Sequence, residues 1–197
     1  MRVTILDYGV GNLHSVSKAI ALTGVSTRVV SDVREALDGD ALVLPGVGAF
    51  TPAAASLAAA REELRDAILG GLPTLGICLG MQLLFDSSEE GPGQGLGVIR
   101  GTTRRLQATR VPHIGWNAIQ SVGASPALAD IEWAYYANSY VCEPDDESVV
   151  LAWTDHEQDR FPAAVRAGSA FGVQFHPEKS STEGTRLFQR IFAELAA

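Results

Sequence analysis

The five residues Gly76-Ile77-Cys78-Leu79-Gly80 leave the surrounding chain one ready shape, a sharp turn from a strand into a helix. The apolar run Pro73-Thr74-Leu75 precedes them, and the helical-looking Leu79-Gly80-Met81-Gln82-Leu83-Leu84-Phe85 follows. Small flanking residues are what a nucleophile elbow of the G-x-S-x-G type needs, because bulk at the reversal would strike neighbouring backbone. Here the central residue carries sulfur. At the first turn of a helix it faces the positive end of the macrodipole, which favours thiolate, the reactive form. A cysteine standing alone is more often a small buried apolar residue, and Cys142, which lacks any such context, reads that way.

An elbow predicts a base. His176 stands in Gly172-Val173-Gln174-Phe175-His176-Pro177-Glu178-Lys179-Ser180, directly after a strand-like run. Its side chain can project into the crevice at the carboxyl ends of parallel strands, where the elbow presents Cys78. Glu178 follows two residues later, with Pro177 fixing the turn, so its carboxylate can hold one imidazole nitrogen and leave the other for sulfur.

Along the chain, Val3–Leu6, Thr27–Val30 and Ala41–Leu44 read as buried strands, and Asn12–Leu22 as an amphipathic helix. Thr51 as N-cap and Pro52 at the first helical position predict a long helix to Leu69, stopped by Gly70 and Gly71. Strand and helix alternate through the elbow, which predicts an α/β fold of three layers: a mostly parallel central sheet with helices on both faces. The second half is different. Leu96–Leu106, Ile114–Val122, Trp133–Cys142, Val149–Thr154, Ala163–Ala167 and Ala170–Phe175 read as strands, expected as antiparallel additions. A final helix from about Ser181 carries the stripe Leu187, Phe188, Ile191, Phe192 and Leu195, with Ser180 and Glu183 at capping-box spacing. No repeat or linker interrupts this order, so residues 1–197 are expected to form a single domain.

Composition removes several classes of function. A net charge of −8 argues against a nucleic-acid partner. No run of about 18 apolar residues is present to span a membrane. Two cysteines without paired spacing and an apolar N-terminal run too short for a signal peptide point to a reducing cytoplasm. His14, His113, His156 and His176 show no ligand spacing, so no metal is expected, and the acidic Glu143–Glu147 stretch reads as a solvated turn.

Two glycine-containing segments stay open. Pro45-Gly46-Val47-Gly48 is either a plain strand-to-helix turn or a source of backbone N–H groups that join the N–H of Leu79 in holding an oxyanion above Cys78. Gly9-Val10-Gly11 hints at a phosphate loop, but His14 occupies the third glycine position of the dinucleotide fingerprint.

Gly76–Gln82 and His176–Ser180 together resemble the nucleophile and His/Glu motifs of the class I, triad-type glutamine amidotransferases, whose fold is flavodoxin-like. Asp7–Leu13, Leu44–Phe50 and Pro112–Asn117 further resemble the branch of that family that supplies ammonia for imidazole glycerol phosphate synthesis in histidine biosynthesis. The resemblance implies hydrolysis of L-glutamine to glutamate and ammonia by Cys78, His176 and Glu178 through a thioester, with no cofactor. It also implies ammonia delivery to a (β/α)8-barrel partner subunit, on which activity depends, with the Val47 peptide completing the oxyanion hole on activation. By the same resemblance, Val47, Gly48 and Leu79 supply backbone donors, Gln82, Ser139 and Tyr140 bind substrate, and Asn12, Trp116, Tyr135 and Lys179 face the partner. The chain departs from the family where relatives often carry histidine before Ser-Tyr: Asn138 stands there. The rival readings are the glutaminase of pyridoxal phosphate synthesis, a self-contained cysteine hydrolase and a noncatalytic interaction subunit.

Overall fold

The computed structural model describes residues 1–9, 11–122 and 125–195, so Val10 of the Gly9-Val10-Gly11 segment lies outside it. In its first half, strands β1 (Arg2–Leu6), β2 (Ser26–Val30), β3 (Ala41–Leu44) and β4 (Thr74–Ile77) alternate with helices. These are α1 (Leu13–Ala21), α2 (Val33–Leu37), α3 (Phe50–Leu57), α4 (Arg61–Leu69) and, after β4, α5 (Leu79–Leu83). The second half adds β5 (Ser87–Ser88), β6 (Gly101–Arg105), β7 (His113–Ala118), β8 (Gln120–Ser121), β9 (Trp133–Asn138), β10 (Tyr140–Pro144), β11 (Val150–His156), β12 (Asp159–Ala167) and β13 (Ala170–Val173). Helix α6 (Ser181–Leu195) ends the described chain.

The main sheet runs β2-β1-β3-β4-β13-β12-β11-β8. Strands β2 through β13 in that order are parallel, and β12, β11 and β8 extend the sheet antiparallel. This is the expected three-layer α/β architecture. The central strands β1, β3, β4 and β13 are buried along almost their whole length because both faces are covered, while the edge strand β2 is largely exposed. Val3, Ile5 and Val43 join Ile20, Leu187, Phe188 and Ile191 of α1 and α6 in one core; Leu6, Leu42 and Leu44 join Leu57, Leu64 and Ile68 of α3 and α4 in the other. At roughly 25 cal/mol per Å² of apolar surface removed from water, these two cores supply the main driving force for folding.

Four local expectations are corrected. The helix predicted from Thr51 begins at Phe50 and is interrupted by a 3-10 turn at Ala58–Ala60. The reason is distant: the Glu90 carboxylate accepts the Phe50 N–H at 2.7 Å, supplying the cap that Thr51 was expected to give. Leu96–Leu106 is strand only from Gly101. The N–H groups of Leu96, Gly97, Val98 and Ile99 instead meet the carbonyls of Leu83, Phe85 and Leu84, closing the end of α5. Trp133–Cys142 breaks at Ser139 into β9, paired with β7, and β10, paired with β6. The capping box at Ser180 does not form, since its hydroxyl donates to the His176 carbonyl at 2.7 Å and accepts the Tyr135 N–H at 3.0 Å.

Candidate active site

Cys78 sits between β4 and α5 with φ 50 and ψ −103, a backbone conformation L-residues rarely adopt. Such a residue costs roughly 1–3 kcal/mol and persists only where its surroundings hold it. Here the Cys78 N–H donates to Val173 at 2.7 Å and its carbonyl accepts the Gln82 N–H at 3.1 Å. The flanking glycines have a steric cause. A Cβ on Gly80 would lie 1.8 Å from the Leu44 carbonyl oxygen, and one on Gly76 would lie 2.6 Å from that of Gly80. Helix α5 has only five residues, so its dipole acts weakly on the sulfur.

His176 enters from the loop after β13 and is buried. Its Nδ1 donates to Glu178 Oε1 at 2.9 Å, and both side chains are shielded from solvent. Burial works against a charged imidazole, but hydrogen bonding to Cys78 and then Glu178 outweighs it and pushes the His176 pKa up to about 9. Nε2 is buried and not aligned in a regular hydrogen bond, a looseness common before substrate binds. Cysteine, histidine and carboxylate are thus brought together in the order the motifs require. The Ser180 hydroxyl, diverted from capping, ties the histidine's own backbone to β9.

Above Cys78 lies a cleft of about 190 Å³ lined by Val47, Gly48, Leu79, Gln82, Glu90, Ala137, Asn138, Ser139 and Tyr140. Every residue expected to hold an oxyanion or bind substrate borders it. The Pro45–Gly48 segment passes directly over the elbow. The Tyr8 hydroxyl donates to the Pro45 carbonyl, and burial beside Cys78 keeps that phenol protonated. The Val47 carbonyl is held by the Gly11 N–H at 3.3 Å. Gln82 borders the cleft, but its amide donates to the Tyr140 carbonyl at 3.1 Å and to Gln174 Oε1 at 3.3 Å, leaving only its own oxygen uncommitted. Asn138 also donates to the Tyr140 carbonyl, at 3.1 Å, so two amides brace that wall.

The family model for class-I glutamine amidotransferases matches residues 4–195. The chain belongs to that family. Among curated proteins, this amidotransferase is 39% identical over 202 residues to the imidazole glycerol phosphate synthase subunit HisH of Gloeothece citriformis, covering 98% of this chain and 96% of that protein. It is 44% identical over 194 residues to the HisH subunit of Geobacillus kaustophilus, covering 92% of each. A crystal structure of a glutamine amidotransferase superposes with a TM-score of 0.79 at 22% identity, over 99% of both chains. That of PurLQS from Thermotoga maritima gives 0.74 at 18%, over 98% of this chain and 97% of the other. These two likenesses bear on the fold alone.

The four residues expected at a partner interface divide in two. Trp116 and Lys179 are exposed, and both contact Tyr135: Trp116 edge-to-face at 6.3 Å and Lys179 with its ammonium 5.8 Å from the ring centre. Asn12 is half-buried at the start of α1, and its amide donates to Glu178 Oε1 at 2.6 Å. Sequence reasoning missed two residues of this amidotransferase's site: Glu90, which lines the cleft, and Gln174, buried against Cys78. Glu90 stood outside every motif and element the sequence singled out. Gln174 stood inside the quoted His176 motif, and its position one strand-turn before the histidine was the signal available. Its Nε2 is 3.5 Å from Cys78 Sγ.

Proposed function

We propose that this amidotransferase, acting as one domain over residues 1–197, is the glutaminase subunit of an imidazole glycerol phosphate synthase in histidine biosynthesis. One observation carries the chemistry: a strained cysteine, with a Glu178-held His176 beside it, opens on a cleft of the size of an amino acid. The HisH relatives support the pathway.

The Cys78 thiolate attacks the side-chain amide carbon of glutamine. Backbone N–H groups around Val47, Gly48 and Leu79 hold the oxyanion. His176, kept protonated by its neighbours, gives its proton to the departing ammonia, leaving a glutamyl thioester. It then takes a proton from the attacking water, and sulfur leaves as thiolate with glutamate. Glu178 fixes the imidazole throughout. Glu90 Oε1, free beside the cleft while Oε2 caps α3, matches the α-ammonium of glutamine. Gln82 Oε1, Ser139 and Tyr140 complete the substrate's surroundings.

The partner is a (β/α)8-barrel synthase subunit, forming a heterodimer against Trp116, Tyr135, Lys179 and Asn12. Ammonia passes to it, and cleavage of the acceptor belongs to that subunit. The long Gly11–Val47 bond supports a peptide that turns when the partner docks. The two unpaired cysteines, Cys78 and Cys142, support a reducing cytoplasm as the compartment of the complex. Ammonia release from glutamine, measured for the chain alone and then with the barrel subunit and its nucleotide ligand, tests the reading. A low rate that rises strongly in the mixture is expected; an unchanged high rate overturns it.

A further inference from the structure

Gln174 is fully buried, and the triad chemistry leaves its amide without a task. Carboxamide oxygen and nitrogen are hard to tell apart, but a main-chain carbonyl settles their orientation here. The Tyr140 carbonyl only accepts, so the Gln82 atom 3.1 Å away is the NH2 group. The same NH2 faces Gln174 at 3.3 Å, so the facing Gln174 atom is oxygen. The Gln174 NH2 group must then turn to Cys78 Sγ, 3.5 Å away. Two buried amides in series aim a donor at the nucleophile.

We propose that Gln174 is a catalytic residue, donating an N–H to the Cys78 sulfur. It holds the thiolate before attack and receives it again when the thioester breaks. In the thioester itself sulfur is uncharged and a weak acceptor, so the bond is strongest at the two ends of the cycle, where sulfur is charged. A side chain needed only to fill space at this position would be apolar, since burying an amide is unfavourable unless each polar atom finds a partner. Beside His176, the short α5 leaves the sulfur few other donors. The benefit to turnover rests on the glutaminase reading; the contact with sulfur does not.

The test uses Gln174→Met and Gln174→Glu in the full chain, with two readouts. Alkylation of Cys78 by iodoacetamide at pH 7 needs neither glutamine nor a partner. It is expected to slow roughly tenfold in Gln174→Met, the effect of losing one hydrogen bond to a charged group, and further in Gln174→Glu. In the complex with the barrel subunit, kcat for glutamine falls about as much while KM stays within roughly twofold. Alkylation at the unmodified rate in the methionine variant overturns the proposal, whatever happens to turnover. Slowed alkylation together with an unmodified complex inert toward glutamine removes the glutaminase reading and leaves the donor standing. Should neither variant fold, the Gln174 side-chain amide proton resonance of the unmodified chain decides. A shift that follows the pH profile of alkylation supports the donor, and a resonance that stays fixed overturns it.

Discussion

Asn12 and Glu178, 166 residues apart in the chain, meet at 2.6 Å, and the oxygen that receives the Asn12 amide also receives the His176 Nδ1–H. The first loop of the fold therefore steadies the last member of the proposed catalytic group. Asn12→Gly, which suits the φ 72 of that position, is expected to lower glutaminase kcat about five- to tenfold, the value of one such hydrogen bond, with little change in thermal stability. Steady-state kinetics beside a melting curve check this. A loss of stability without loss of kcat would reassign Asn12 to packing.

Cys78→Ala should reduce glutamine-dependent synthesis by roughly a thousandfold or more while the complex still uses free ammonia. Loss of both activities would make the residue structural. Alanine keeps the Cβ and so the φ 50 strain, whereas Cys78→Gly relieves it and should be the more stable of the two variants, which denaturant unfolding measures.

Glu90→Gln keeps an oxygen to cap the Phe50 N–H, yet removes the negative charge from the cleft. The expected result is a KM for glutamine higher by about tenfold, kcat within about twofold, and an unchanged melting temperature. An unaltered KM would show that the α-ammonium binds elsewhere.

Two histidines give opposite pH limbs to stability. His176 is raised from 6.5 to about 9, so its contribution is full below pH 6.5 and is lost as pH rises through 9. His113 is lowered from 6.5 to about 4, first by burial and then by neighbouring His156, on which it stacks at 4.1 Å. Its contribution is full above pH 6.5 and is lost as pH falls toward 4. Urea midpoints between pH 4 and 9.5 should decline at both ends. Cys78→Ala should flatten the alkaline limb, because the sulfur is the largest of the causes that raise His176.

Gly80→Ala puts a methyl group 1.8 Å from a backbone oxygen of β3. Neither strand nor elbow can yield without losing register, so destabilisation of about 3 kcal/mol or more is expected. Chemical denaturation measures it, and a near-neutral result would mean the elbow is less closely packed than described.

The local order of this chain was legible in its sequence. Alternating apolar strands and amphipathic helices, the glycine-flanked Cys78 and the spacing of His176 to Glu178 all act through neighbours within a few residues, where periodicity and turn sterics rule. The parallel sheet follows from that rhythm, and the antiparallel extension from the change in pattern. What only the tertiary structure decided are contacts across long separations. Glu90 caps α3 from 40 residues away, Gln174 reaches Cys78 across 96, and Asn12 reaches Glu178 across 166. The same holds where local signals lost. Thr51 and Ser180 had the right chemistry to cap helices, but Glu90 and the β9 backbone were closer to the groups in need. A side chain satisfies whichever polar atom the packed fold sets beside it, and that proximity exists only once the sheet has fixed its register.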